Sequence, residues 1–109
     1  MIIEDEPMVA MLIEEALERA GASTFDIAVT EAEAIELAAQ NRPSVITSDV
    51  RLVEGTGPRA VEQIRAEHGE IPVIFITGTP LECSPYKSSA VLMKPVSLRA
   101  VQAAFEEVA

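Results

Sequence analysis

The sequence predicts an open α/β fold: one parallel sheet of five strands with helices on both faces. Three observations predict it. Short apolar runs alternate along the chain with stretches whose apolar residues recur at helical spacing. The run Ile71–Ile76 is almost wholly apolar, as expected of a parallel strand covered on both faces. Polar residues follow the apolar runs: Glu4 and Asp5 after Met1–Ile3, Asp49 after Val45–Ser48, Thr77 after Ile71–Ile76, and Lys94 after Ala90–Met93. Open α/β sheets bind ligands in the crevice beyond the carboxyl ends of their strands.

The first strand, β1, is Met1–Ile3, which is short and reads as truncated at its N-terminus. Glu4-Asp5-Glu6 is a loop, and Pro7 suits the first turn of a helix, where its missing N–H is not needed. In that helix, α1, the residues Val9, Leu12, Ile13, Ala16, Leu17 and Ala20 share a face, and Gly21 ends it. Strand β2 is read at Thr24–Val29, with Phe25, Ile27 and Val29 alternating. Thr30 followed by Glu33 is a capping-box signature and opens α2 at Glu31–Gln40, with Ala34, Ile35, Leu37 and Ala38 available for burial. Pro43 cannot sit in a central strand, so β3 starts after it, at Val45, and delivers Asp49. Pro58 opens α3, which runs to about His68 with Val61 and Ile64 inward, and Gly69 ends it. Strand β4 is Ile71–Ile76. Residues 79–89 hold two prolines and show no helical period, so at most a turn or two is expected there. Ala90–Met93 is β5. Ser97 caps the last helix, α4, whose Leu98, Val101, Phe105 and Val108 repeat at helical spacing.

This alternation, with right-handed crossovers, points to a flavodoxin-like, doubly wound sheet of order 2-1-3-4-5. That order sets β1 beside β3 at the switch point, so Glu4, Asp5 and Asp49 are expected to converge. The 109 residues make one domain, with 49% hydrophobic residues to build its core. The net charge of −10 argues against nucleic acid and against anionic membranes as partners. It is compatible with divalent cations or a basic protein surface. Cys83 is alone, which excludes an intramolecular disulfide and a cysteine metal cluster. With no signal peptide or long apolar run, the expected location is cytoplasmic.

Converged carboxylates repel one another, and at least one pKa rises unless a cation sits among them. Mg²⁺ suits one or two carboxylates, waters and a phosphate-bearing substrate. An aspartate can accept a phosphoryl group as an aspartyl phosphate. Such a transfer asks mainly for positioning and charge neutralisation. The Lys94 ammonium and the Thr77 hydroxyl are the residue types that would contact phosphoryl oxygens. Each residue also has a plainer reading. Asp49 alone is as readily a surface acid ending a strand. Glu4 and Asp5 alone favour the N-terminus of a helix, and Lys94 alone can snorkel to solvent. His68 is read as capping the end of α3, and Cys83 as a bystander.

Glu4-Asp5-Glu6-Pro7, the strand-terminal Asp49, Thr77 after Ile74-Phe75-Ile76, and Lys94-Pro95 together resemble the receiver domain of two-component response regulators. The resemblance runs over essentially the whole chain, in the right order. It implies that Asp49 is the phosphoacceptor and that Thr77 and Lys94 bind the phosphoryl group. It implies that Glu4, Asp5, Asp49 and the backbone carbonyl of Arg51 hold Mg²⁺, and that the Lys94–Pro95 bond is cis. Gly57 stands where receivers usually have a glycine. Phe75-Ile76-Thr77-Gly78 resembles a subfamily named for a Phe-Ala-Thr-Gly motif, in which Ile76 replaces the alanine. That subfamily lacks an aromatic switch and often occurs as stand-alone domains in alphaproteobacteria.

The sequence departs from the usual receiver pattern in three places. Val53 replaces a common proline, and Val91 replaces the switch aromatic. The segment from Thr77 to Lys94 is short, so the helix usual there is expected to be reduced or disordered. Movement of Thr77 and ordering of the Gly78–Ser89 loop are the expected outputs. The resemblance implies a histidine kinase or histidine phosphotransfer protein as phosphate donor, and a downstream protein target. It implies no turnover of an external metabolite, only phosphorylation and dephosphorylation of the domain itself. Two rival readings fit the same residues. One is a constitutive protein-binding module with a receiver fold that is not phosphorylated. The other is a small Mg²⁺-dependent phosphatase, for which no second acid and no substrate cap are visible.

Overall fold

The computed structural model describes residues 1–108. Its elements follow the predicted order: β1 (Ile2–Ile3), α1 (Pro7–Arg19), β2 (Ile27–Ala28), α2 (Glu31–Gln40), β3 (Ile46–Ser48), α3 (Gly57–His68), β4 (Val73–Thr77), a 3₁₀ turn (Pro80–Cys83), β5 (Ala90–Met93) and α4 (Leu98–Val108). The five strands form one sheet in the order β2-β1-β3-β4-β5, and every neighbouring pair is parallel. The helix usual between β4 and β5 is reduced to the 3₁₀ turn.

The pleat sends successive side chains to opposite faces, and two apolar layers result. Ile3, Ala28, Ile46, Val73 and Phe75 pack with α2 and α3 through Ala34, Ala38, Val61 and Ile64. Ile2, Ile74 and Ile76 pack with α1 and α4 through Ile13, Ala16, Leu17, Val101 and Ala104. β4 is buried along its whole length, which explains why its sequence shows no alternation. β5 lies at an edge, and its residues alternate between half-buried and exposed.

The helix signals hold at residue level. The Thr30 hydroxyl accepts from the Glu33 amide at 3.0 Å, and the Glu33 carboxylate reaches back to the Val29 amide at 2.8 Å. Ser97 accepts from the Ala100 amide at 3.1 Å. Thr56 caps α3 by accepting from the Arg59 amide at 3.3 Å, a cap the sequence reading missed in favour of Pro58. Gly21 and Gly69 take positive φ just past α1 and α3, a backbone conformation that glycine adopts without steric cost.

The strand readings need correction at their ends. β2 is two residues, not Thr24–Val29, because it pairs with a β1 that is itself two residues long. Ala28 is buried, whereas Ile27, and Val29 just past the strand, are partly exposed at the sheet edge. β4 begins at Val73, after Pro72, and takes in Thr77.

Candidate functional site

The ladder between β1 and β3 sets Ile2 opposite Thr47 and Ile3 opposite Ser48. Glu4 and Asp49 therefore leave the sheet side by side, and the Asp49 amide donates to the Ile3 carbonyl at 2.9 Å. β5 ends at Met93 in register with Thr77, which brings Lys94 to the same edge. The Lys94–Pro95 bond is cis. Gly57 matters at this edge because a Cβ there would lie 1.8 Å from the Asp49 carbonyl oxygen and 2.2 Å from Ser48 Oγ. Only glycine lets α3 start so close to the strand end that carries Asp49.

Four carboxylates meet there. Glu4, Asp5, Glu6 and Asp49 each offer an oxygen, and those oxygens lie within 4.8 Å of one another. Glu4 is fully buried and Asp49 nearly so, Asp5 is half-buried, and Glu6 is exposed. The Lys94 ammonium stands among them, 2.8 Å from Asp49 Oδ2, 3.1 Å from Glu6 Oε1, and 3.1 and 3.3 Å from Glu4 Oε1 and Oε2. Its three protons go to Asp49, Glu6 and Glu4 Oε2. Glu4 Oε1 is buried with no hydrogen bond of its own. The other Asp49 oxygen, Oδ1, accepts from the Val50 amide at 2.7 Å.

One cation for four carboxylates leaves charge uncompensated. Burial pushes the Glu4 carboxyl above its ordinary pKa, opposed by hydrogen bonds from Lys94 and the Glu6 amide and reinforced by the charge of Asp49. Burial works against the Lys94 charge, but hydrogen bonds to Asp49 and Glu4 outweigh it and hold that pKa above the ordinary lysine range. A buried carboxylate oxygen that has no hydrogen bond and only the shared Lys94 ammonium beside it, next to three further carboxylates, is a donor set that suits a hard divalent cation. The residues fit Mg²⁺.

The structure brings Glu4, Asp5, Asp49 and Lys94 together as predicted, and adds Glu6. Thr77 sits at the same sheet edge and is buried, and its hydroxyl bonds Thr79 and not the carboxylates. It accepts from the Thr79 amide at 3.0 Å and bonds the Thr79 hydroxyl at 3.1 Å. Arg51 lies two residues past Asp49, in a loop closed by a bridge to Thr56. Its guanidinium pairs with Glu82 of the 3₁₀ turn at 2.5 Å. Glu6 belongs to the motif Glu4-Asp5-Glu6-Pro7 in the sequence, but nothing there assigns it to the site. Thr79 and Glu82 carried no signal, since they are ordinary polar residues in an aperiodic segment.

Other singled-out residues have packing roles. Cys83 is buried, and its thiol pKa is raised by burial, then by the charges of Glu82 and Asp49, which makes it a poor nucleophile. Tyr86 is half-buried against the core layer of α2 and α3. His68 ends α3, where its carbonyl accepts from Arg42 Nε at 3.2 Å. No described helix is long and apolar enough to cross a membrane.

Comparison with known proteins gives consistent matches. The profile of the response regulator receiver domain matches residues 1–106. The phyllosphere-induced regulator PhyR of Methylorubrum extorquens is 40% identical over 82 residues, covering 73% of this chain and 30% of that protein. The solution structure of the PhyR REC domain of Erythrobacter litoralis superposes with a TM-score of 0.88 at 30% identity, over 98% of this chain and 85% of that one. The anti-anti-sigma factor PhyR of Bartonella quintana gives a TM-score of 0.86 at 34% identity, over 98% of this chain and 46% of that one. The chain thus spans less than a third of the curated PhyR relative and less than half of the Bartonella protein.

Proposed function

The chain belongs to the response regulator receiver domain family of two-component signalling, and from that premise we propose that it is a phosphoacceptor switch, phosphorylated at Asp49. The donor is a histidine kinase or a histidine phosphotransfer protein. The observation that carries the reading is the Asp49 carboxylate, held 2.8 Å from the Lys94 ammonium within a cluster of four carboxylates at the carboxyl edge of the sheet.

In this reading an Asp49 oxygen attacks the phosphorus of a phosphohistidine. The new O–P bond forms as the P–N bond breaks. The bonding pair leaves with the imidazole nitrogen, which takes up a proton from solvent. Asp49 is pre-positioned between Lys94 Nζ and the Val50 amide. Lys94 moves with the charge, from the carboxylate to a phosphoryl oxygen, and the Thr77 hydroxyl donates to another. Glu4, Asp5, Asp49 and the Arg51 carbonyl would hold Mg²⁺, which when bound neutralises carboxylate and phosphoryl charge. The domain catalyses its own phosphorylation and dephosphorylation, turns over no external metabolite, and works in the cytoplasm.

Output through protein contact is supported by exposed apolar residues on the 3₁₀ turn and on β5, namely Leu81, Val91 and Met93. The name anti-anti-sigma factor borne by the Bartonella relative supports an output of that kind. The test is incubation with acetyl phosphate and Mg²⁺, followed by mass spectrometry. The expected result is a gain of one phosphoryl group that disappears in Asp49→Asn and in EDTA. A folded protein that gains nothing from acetyl phosphate or from a cognate kinase would instead be a constitutive binding module. A gain that survives Asp49→Asn would place the phosphoacceptor elsewhere.

A further inference from the structure

The Thr77 hydroxyl has one proton to donate, and the bonds around it decide where that proton goes. Thr79 Oγ1 donates to Glu82 Oε2 at 3.0 Å. Glu82 accepts from the Arg51 guanidinium through Oε1, and a carboxylate so paired has only acceptor oxygens to offer Thr79. Arg51 holds it through that ion pair. With the Thr79 proton committed to Glu82, the 3.1 Å bond between the two threonine hydroxyls must use the proton of Thr77. The Thr77 hydroxyl is further fixed by the Thr79 amide, which donates to it at 3.0 Å. Its donor is therefore turned toward Thr79 and is not available to a ligand on Asp49.

We propose that Glu82, acting through Thr79, is a positioning residue that holds the Thr77 hydroxyl in a non-productive orientation, and that phosphorylation of Asp49 must break this relay. The inference rests on the phosphoacceptor reading and deepens it. Thr77 can donate to a phosphoryl oxygen only by giving up its bond to Thr79. The relay is therefore a brake on phosphorylation, built from residues of the shortened segment between β4 and β5.

The experiment compares labelling rates with acetyl phosphate and Mg²⁺ for the wild-type protein, Glu82→Ala, Glu82→Gln, Thr79→Val and the Glu82→Ala/Thr79→Val double variant, with melting curves confirming that each is folded. Glu82→Ala and Thr79→Val are each expected to label about fivefold faster, the factor corresponding to one hydrogen bond of ordinary net strength. The double variant is expected to be no faster than the faster single one, because both break the same relay. Glu82→Gln removes the charge but keeps an acceptor oxygen for Thr79, and is expected to stay within about twofold of wild type. Four results would overturn the inference alone: an unchanged rate in Glu82→Ala, an unchanged or lower rate in Thr79→Val, multiplying effects in the double variant, or Glu82→Gln labelling as fast as Glu82→Ala. The last of these would assign the effect to charge repulsion of the anionic donor. Absence of labelling in every protein overturns the phosphoacceptor reading and this inference with it.

Discussion

Glu4 shows what the site costs at the scale of one residue. Its side chain is fully buried, and burial raises its pKa above the unfolded value. A carboxyl whose folded pKa is raised binds protons more tightly when folded. It therefore favours the fold at low pH, and that contribution is lost as pH rises through the folded pKa. Glu4→Gln should remove the pH-dependent loss. Without divalent cations, the variant is expected to melt a few degrees higher than wild type at about pH 7.5, and the gain should vanish at about pH 4. Equal melting temperatures at the higher pH would mean that Lys94 already compensates Glu4 in full. The acidity of the Glu4-Asp5-Glu6 stretch is plain in the sequence. The burial of Glu4, with Glu6 left exposed, is not, because it depends on which of these residues continues the line of β1 between β2 and β3.

At the scale of elements, the chemistry depends on how closely α3 approaches β3. Gly57 lies at the first turn of α3, and its amide donates to the Val50 carbonyl at 2.8 Å. A methyl group there meets backbone at 1.8 Å, which no side-chain rotation relieves. Gly57→Ala should force α3 away from the strand end and destabilise the fold by about 3 kcal/mol, read as a lower urea midpoint. It should also slow labelling of Asp49 in the fraction that folds. A loss below about 0.5 kcal/mol, the range of ordinary surface substitutions, would show that the loop accommodates the methyl group. Helices were legible in order and nearly in extent, because their caps and periodicities are local. Strands were legible as elements but not in their ends. The alternation of Phe25, Ile27 and Val29 extends β2 over Thr24–Val29, but only two of those residues find a partner on β1.

For the whole molecule, the decisive property is the balance of charge at one edge of the sheet. The chain carries a net charge of −10, and four carboxylates converge there with a single ammonium among them. A ligand that binds only the folded state stabilises it by mass action, by about 1 kcal/mol at about five times its Kd. Mg²⁺ at that level should raise the melting temperature of wild type by about 4–8 °C. Asp5→Asn, which removes a half-buried carboxylate from the cluster, should lose most of that increment. Sodium chloride at matched ionic strength should reproduce little of it, since screening acts on all eighteen acidic residues without discrimination. An equal rise with sodium chloride would reduce the cation effect to screening.

The sequence by itself determined the order of elements, the sheet topology and the residues brought to one edge. Each follows from local rules: apolar period, capping residues, proline and glycine stops, and the handedness of parallel crossovers. The same rules placed Glu4, Asp5, Asp49, Thr77 and Lys94 at strand ends. Only the tertiary structure decided that Glu6 joins the cluster, that one Glu4 oxygen is left without a hydrogen bond, and that the Thr77 hydroxyl bonds Thr79, which in turn donates to Glu82. Those facts depend on distances between segments far apart in the chain and on how a limited number of protons is shared among neighbouring oxygens. Neither quantity is encoded in any local stretch of residues.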